Sequence, residues 1–261
     1  METAMATADR FTVRLAVVAL AAFGLAACAS TGQRTPGDPL EPANRDVFRF
    51  NEDVDRAALK PVAVAYHEHT PSWFQTGVSN FFANLTVPGT ALNDLLQGKV
   101  LAAGQDVLRF AINTTLGWGG LIDVATGGGV PRHDEDLGQT LGKWGVPPGP
   151  YLMVPLLGPS TLRDLPSRVV DTVYEPLYWI GVSSSARWGS LALSAVDTRA
   201  QLLPLDETLD KVFDKYAFVR NSYLQRREYL IYDGNPPEKP LDEELPEDDA
   251  EAAPDEAPPG P

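Results

Sequence analysis

Apolar stripes at helical spacing alternate along the chain with short stretches that no regular helix crosses easily. Residues 44–60 place Val47, Phe50, Val54, Ala57 and Ala58 on one stripe, with Pro61 as the expected stop. Residues 72–85 carry Phe74, Val78, Phe81, Phe82 and Leu85 on a second helical stripe, with Ser72 as its expected N-cap. Residues 99–115 carry Val100, Leu101, Val107, Leu108, Ala111 and Ile112 on a third, ended by Gly117. Further helices are predicted over 161–180, where Pro176 kinks or splits the run, over 184–203 and over 207–231. The breakers between them are Val87-Pro88-Gly89, Gly117-Trp118-Gly119-Gly120 and Gly127-Gly128-Gly129. No run alternates at period two with hairpin turns, and there is no internal repeat. The predicted class is all-α.

One stretch fits neither helix nor ordinary loop. Residues 141–160, LGKWGVPPGPYLMVPLLGPS, hold nine Gly or Pro, and most of the rest are large and apolar. Helix-breaking loops are usually polar because they run over a wet surface. Here Pro147, Pro148, Pro150, Pro155 and Pro159 oppose a helix and argue against a central strand. A greasy segment of that kind needs an apolar neighbour other than a regular core.

The N-terminus indicates where such a neighbour lies. Arg10 and Arg14 precede the apolar run 15–27, whose thirteen residues are too few for a membrane span of about 20. This is the layout of a secretory leader. It ends in Leu25-Ala26-Ala27-Cys28, and Cys28 is the one cysteine of 261 residues, so no disulfide is possible. The order resembles the lipobox of bacterial lipoproteins; an ordinary leader with an incidental cysteine is the alternative. Acylation at Cys28 would anchor the protein firmly, since each buried methylene contributes about 0.8 kcal/mol. Ala29, rather than Asp, resembles the sorting pattern for the outer membrane of a Gram-negative cell. Residues 28–37 read as a tether.

Composition divides the remainder. Residues 238–261 hold ten acids, one lysine and six prolines, too polar to bury a core, and the acidic tail from 234 onward is predicted to be disordered. That tail carries −9 of the formal −14, leaving −5 for residues 28–237. The segment 38–233, about 195 residues, suits one domain. It is not basic enough for nucleic acid.

A search for reactive groups finds little. Ser79 and Ser160 lack the flanking glycines of a nucleophile elbow. His67, Glu68 and His69 do not put both imidazoles on one helical face, and two ligands would be a weak metal site. His133-Asp134-Glu135-Asp136 reads as loop followed by N-terminal helix charge. Gly127-Gly128-Gly129 lacks the Lys-Ser/Thr of a phosphate loop. No enzyme, metal or cofactor is predicted. Trp73, Trp118, Trp144, Trp179 and Trp188 fall near helix ends or breakers, which suits either a membrane interface or a tryptophan-rich core.

Six blocks, in order, carry a family resemblance: DPLEPANRDVFRFNEDVDRAALKPVAVAY (38–66), VSNFFANL (78–85), NDLLQGK (93–99), FAINTTLGWGGLIDVAT (110–126), DLGQTLGKWGVPPGPYLMVPLLGPSTLRD (136–164) and TRAQLL (198–203). Together they resemble the MlaA/VacJ lipoproteins over about residues 38–232. The resemblance implies a ring of amphipathic helices around a central channel, seated in the inner leaflet of the outer membrane beside a trimeric porin. It implies removal of mislocalised phospholipids from the outer leaflet and their transfer to a periplasmic carrier. By family position, residues 144–159 would flank the lipid path through Trp144, Val146, Pro147, Tyr151, Leu152, Val154, Leu156 and Leu157. Gly117, Trp118 and Ile122 would belong to a second wall. An envelope phospholipase and a purely structural porin-associated lipoprotein are the alternative functions.

Overall fold

The computed structural model describes residues 37–173 and 176–237. The leader predicted over 1–27, Cys28, most of the predicted tether and the predicted tail from Glu238 onward lie outside them. Helix α1 (Glu41–Val54) runs through a π turn (Asp55–Leu59) into α2 (Lys60–His69). Pro61 therefore does not stop the helix. The π turn immediately before it shifts the hydrogen bonding, with the Lys60 N–H donating to the Asp55 carbonyl, and absorbs the missing proline donor. Helix α3 (Ser72–Leu96) likewise continues through Pro88, where a break is expected from sequence. Burial of Leu85, Val87, Thr90 and Ala91 on both sides of the proline offsets its cost of about 3 kcal/mol. Ser72 is the first helical residue rather than the cap; Pro71 occupies the cap position.

Gly98, at φ +81, turns α3 back into α4 (Val100–Thr115), and these two form the most extensive helix pair. Short α5 (Val124–Gly127) and α6 (Leu137–Lys143) follow, capped by the carboxylates of Asp123 and Asp136. Helices α7 (Asp164–Val173) and α8 (Pro176–Trp179) are divided where Pro176 predicts. Helix α9 (Ser184–Leu202) packs on α2 and α3 and leads through a 3-10 turn (Leu203–Leu205) into α10 (Asp206–Asp210). The last predicted helix is therefore two, because residues 211–214 interrupt it before α11 (Lys215–Ile231). No helix of the described residues is long and apolar enough to cross a membrane.

The all-α class holds, with one departure. Inside the Pro/Gly-rich stretch, β1 (Tyr151–Val154) pairs antiparallel with β2 (Gly158–Thr161), Tyr151 opposite Thr161 and Met153 opposite Pro159. The prolines are tolerated because the ladder is two strands wide, so each strand has an edge on which no sheet donor is needed. Helix α1 covers the outer edge of β1. The Asn44 side chain donates to the Tyr151 carbonyl (3.0 Å) and accepts from the Met153 N–H (2.8 Å). Two turns on, Asn51 donates to the Val154 carbonyl and accepts from the Leu156 N–H. On the other side, Arg168 donates to the carbonyls of Leu157 and Pro159. The period-two burial of β1 is real but only four residues long, too short to register against the surrounding prolines.

The distribution of polarity is inverted over much of the fold. Helix α4 buries Ala103, Asp106, Arg109 and Asn113, while the stripe of Val100, Leu101, Val107 and Leu108 faces outward, Leu101 being 78% exposed. All five tryptophans are exposed, Trp118 at 80%. A core that merely uses tryptophan is thus ruled out. The compact apolar cluster is Tyr151, Met153 and Tyr216, with Val47, Phe48, Val219, Tyr223 and Leu224 against it. Phe48, Tyr151 and Tyr223 supply edge-to-face ring contacts at 5.7–6.2 Å. Elsewhere the interior is polar. Buried Asp38 receives Asn44, Tyr216 and Arg220, and buried Asp164 receives Arg163, Arg227 and Tyr223.

Candidate functional site

Between α1, the π turn, α9, α10 and α11 lies a cavity of about 860 Å³. Its wall mixes apolar groups (Phe48, Val64, Leu202, Leu205, Leu209, Val219) with charged ones of both signs (Glu52, Asp55, Arg56, Lys60, Arg199, Asp206, Asp210, Lys215). A second cavity of about 520 Å³ shares Phe48, Glu52, Asp55, Arg199 and Leu202 with the first and reaches the β1–β2 turn at Leu156, Leu157 and Gly158.

Arg199 stands where the two cavities meet. Its Nε donates to Asp55 Oδ1 at 2.8 Å, and its Nη2 to both Asp206 oxygens at 2.9 and 3.0 Å. Lys60 Nζ adds 2.8 Å to Asp206. Guanidinium geometry matches two carboxylates at once, so one α9 side chain ties the π turn to α10. Nη1 of Arg199 is buried with no hydrogen-bond acceptor among the described residues. Next to Lys215 in the chain, hydrogen bonding to Arg45 and to the Ala217 N–H holds the Asp214 carboxyl down at about 2. The result is a rigid charged waist in an apolar-lined hollow. It can accommodate a molecule with a charged head and an apolar body, because both parts find a matching surface.

The residues singled out from sequence fall in three places. Leu156 and Leu157 line the second cavity; Leu156 is 69% exposed and takes φ +63, a left-handed turn conformation that costs a non-glycine residue about 1–2 kcal/mol. Tyr151 is fully buried in the aromatic cluster, and Leu152 and Val154 are half-buried on the other face of β1. Trp144, Val146 and Pro147 are exposed, with Trp144 Nε1 donating to the Leu96 carbonyl at 3.2 Å. Trp118 and Ile122 are exposed beyond the C-terminal end of α4, and Gly117, immediately before Trp118, is buried. A Cβ on Gly117 would overlap the carbonyl oxygens of Ile122 and Asn113, which explains the glycine.

The structure thus brings two of those residues to the cavities and leaves the others at the surface or in the core. Sequence reasoning missed Phe48, Arg56, Lys60, Arg199, Leu205 and Asp206. The available signal was the family-like blocks 38–66, which holds Phe48, Arg56 and Lys60, and 198–203, which holds Arg199. Ser79 Oγ donates to Asp197, which also receives Tyr66 and Gln201, and no histidine joins them. His67 and His69 turn to separate partners, Gln75 and the Ala65 carbonyl. The described metal-ligand types that converge are Asp94, Asp106 and His133.

A helical chain with an apolar exterior, a polar interior and a charged internal hollow defines a class: an amphiphilic protein adapted to a lipid surface. The chain belongs to the MlaA lipoprotein family, whose model matches residues 36–230. It is 37% identical over 252 residues to the intermembrane phospholipid transport system lipoprotein MlaA of Escherichia coli K12, covering 92% of this chain and 99% of that one. The Shigella flexneri protein of the same description matches to the same extent. The Haemophilus influenzae one is 33% identical over 236 residues, 88% of this chain and 94% of that one. A solved structure, from work on the structural basis for maintenance of bacterial outer membrane lipid asymmetry, superposes with a TM-score of 0.67 at 40% identity. It spans 74% of this chain and 98% of the other.

Proposed function

We propose that this chain withdraws mislocalised phospholipids from the outer leaflet of the Gram-negative outer membrane and passes them inward to a periplasmic lipid carrier. The observation that carries this reading is the joined pair of cavities meeting at Arg199. Acyl chains are taken by the leucine and phenylalanine walls, and headgroups by the charged waist. A zwitterionic headgroup finds a cation for its phosphate and a carboxylate for its ammonium in one place. The exterior of α3 and α4 and the exposed tryptophans seat the helices as a ring in the inner leaflet. Acylated Cys28 anchors the chain on the periplasmic face, and a trimeric porin is the neighbour against which the ring rests. No bond is made or broken on this route, so neither catalyst nor cofactor is needed.

The relatives' description as intermembrane phospholipid transport lipoproteins supports the substrate class. The test occludes the hollow. Leu205→Trp fills the larger cavity without touching the Arg199 pairs. It should leave protein level and folding intact, remove most of the phospholipid detected by mass spectrometry in the purified protein, and leave cells without a wild-type copy detergent-sensitive. A wild-type protein that holds no phospholipid, together with an occluded variant that restores the barrier fully, would sink the transport reading. Release of free fatty acid by the purified protein would replace it with a phospholipase.

A further inference from the structure

We propose that Asp94, Asp106 and His133 form a binding site for a first-row divalent cation, with zinc the best-matched ion. Asp94 comes from α3, Asp106 from α4 and His133 from the loop before α6; one donor atom of each lies within 4.8 Å of the others. None of the three lines either cavity, so the site stands apart from the proposed lipid route.

The independent sign of a ligand is the state of the carboxylates. Asp94 is fully buried and Asp106 nearly so. Among the described residues no donor reaches either oxygen of Asp94 or Oδ2 of Asp106. Buried carboxylate oxygens without donors are costly, and burying two such charges side by side is more so. The nearby cation does not relieve them. Lys99 Nζ is taken by Glu135 (2.7 Å) and Asp233, and Gln97 donates to Glu135 as well. One proton shared by the pair would satisfy two of the three oxygens and leave the third. A dication satisfies all three and neutralises both charges.

The donor set selects the ion. His133 Nδ1 lies 3.1 Å from Asp106 Oδ1, close to the separation of two ligand atoms on one ion. An imidazole with two carboxylates suits zinc or manganese better than the all-oxygen ions calcium and magnesium. Zinc ligands at about 2.1 Å sit roughly 3.4 Å apart, so the widest pair of the set, no more than 4.8 Å apart, closes by at most about 1.4 Å. His133 is half-buried, which gives solvent and the ion a way in. Bound there, the ion would staple the α3–α4 hairpin to the loop leading into α6.

The experiment uses full-length protein in detergent, stripped with a chelator and re-equilibrated with zinc chloride. Elemental analysis should find about one zinc per chain, and the added ion should raise Tm by about 5 °C or more. His133→Gln, a half-buried loop change that leaves the fold in place, and the Asp94→Asn/Asp106→Asn double variant should each lower zinc affinity at least about tenfold. His67→Gln/His69→Gln should leave it unchanged. Substoichiometric zinc with an unmoved Tm, or stoichiometric zinc retained by both site variants, overturns the site and leaves a shared proton as what satisfies the two aspartates.

Discussion

At the β-hairpin the protein is built as a water-soluble domain is built: Tyr151 and Met153 point inward onto Tyr216, and charges pair around them. Along α3 and α4 the order reverses, with Asp94, Asp106, Arg109 and Asn113 inside and Leu101, Val107 and Leu108 outside. Both regions are rich in large apolar residues in the sequence. The difference teaches that a stripe says which residues share a face, while the surrounding medium decides whether that face turns in or out. In water an exposed stripe is a liability; against acyl chains it costs nothing, and the polar face must then find partners inside.

The contrast is broken most severely at its aromatic end. Tyr151→Ala should lower stability by about 3–5 kcal/mol, as large-to-small changes in aromatic cores do. The matching truncation on the other side, Leu101→Ala, should move stability in detergent by less than about 0.5 kcal/mol and instead weaken membrane partitioning. Thermal unfolding of the two variants side by side checks this; equal losses would mean that α4 faces a protein core. Arg109→Ala comes next. It removes the charge partner of Asp123, which keeps Asn113 and Thr126 as donors, and should cost about 1–3 kcal/mol. Asn44→Ala unstraps β1 from α1 by leaving a buried carbonyl and N–H unpaired, at about 1–3 kcal/mol. Hydrogen exchange should show the Met153 amide losing protection first.

Acidification sharpens the same comparison more gently. Burial alone would raise the carboxyls of Asp136 and Asp164. Bonds from Arg227 to Asp136, and from Arg163, with the charge of Arg227, to Asp164, more than offset it, so both are lowered. A lowered native value means that the unfolded chain takes up protons first. The stabilisation is therefore complete above the ordinary carboxylate range of about 3.9 and is lost as the pH falls through the native values. The contribution of these two carboxylates, read as the Tm difference between wild type and Arg227→Gln, should hold between pH 7 and 5 and shrink below about pH 4. The smallest effect on folding is expected at Leu156→Asp. The exposed turn should keep Tm within about 2 °C, yet charge placed at the mouth of the second cavity should impair lipid removal, read as detergent sensitivity of the outer membrane. Leu152→Asp, half-buried on β1, should destabilise instead.

Much was legible in the chain before any coordinates. Helical period located most of the helices, Pro176 divided one of them, and recurrent blocks identified the family, because these depend on neighbours a few residues apart. Pro61 and Pro88 misled for a physical reason. A proline's cost is fixed locally, at about 3 kcal/mol, but whether a helix bears it depends on a π turn or on burial supplied by other segments. The hairpin was invisible because its edges are satisfied by Asn44, Asn51 and Arg168, side chains up to 109 residues away. Arg199 could not be picked from the other arginines of the chain, since its meaning lies in Asp55 and Asp206 arriving from two other elements. What the sequence by itself determined is periodicity, composition and kinship. Which face looks inward, where the hollow opens and which charges meet were decided by the tertiary structure, because burial and electrostatics are sums over segments that only folding brings together.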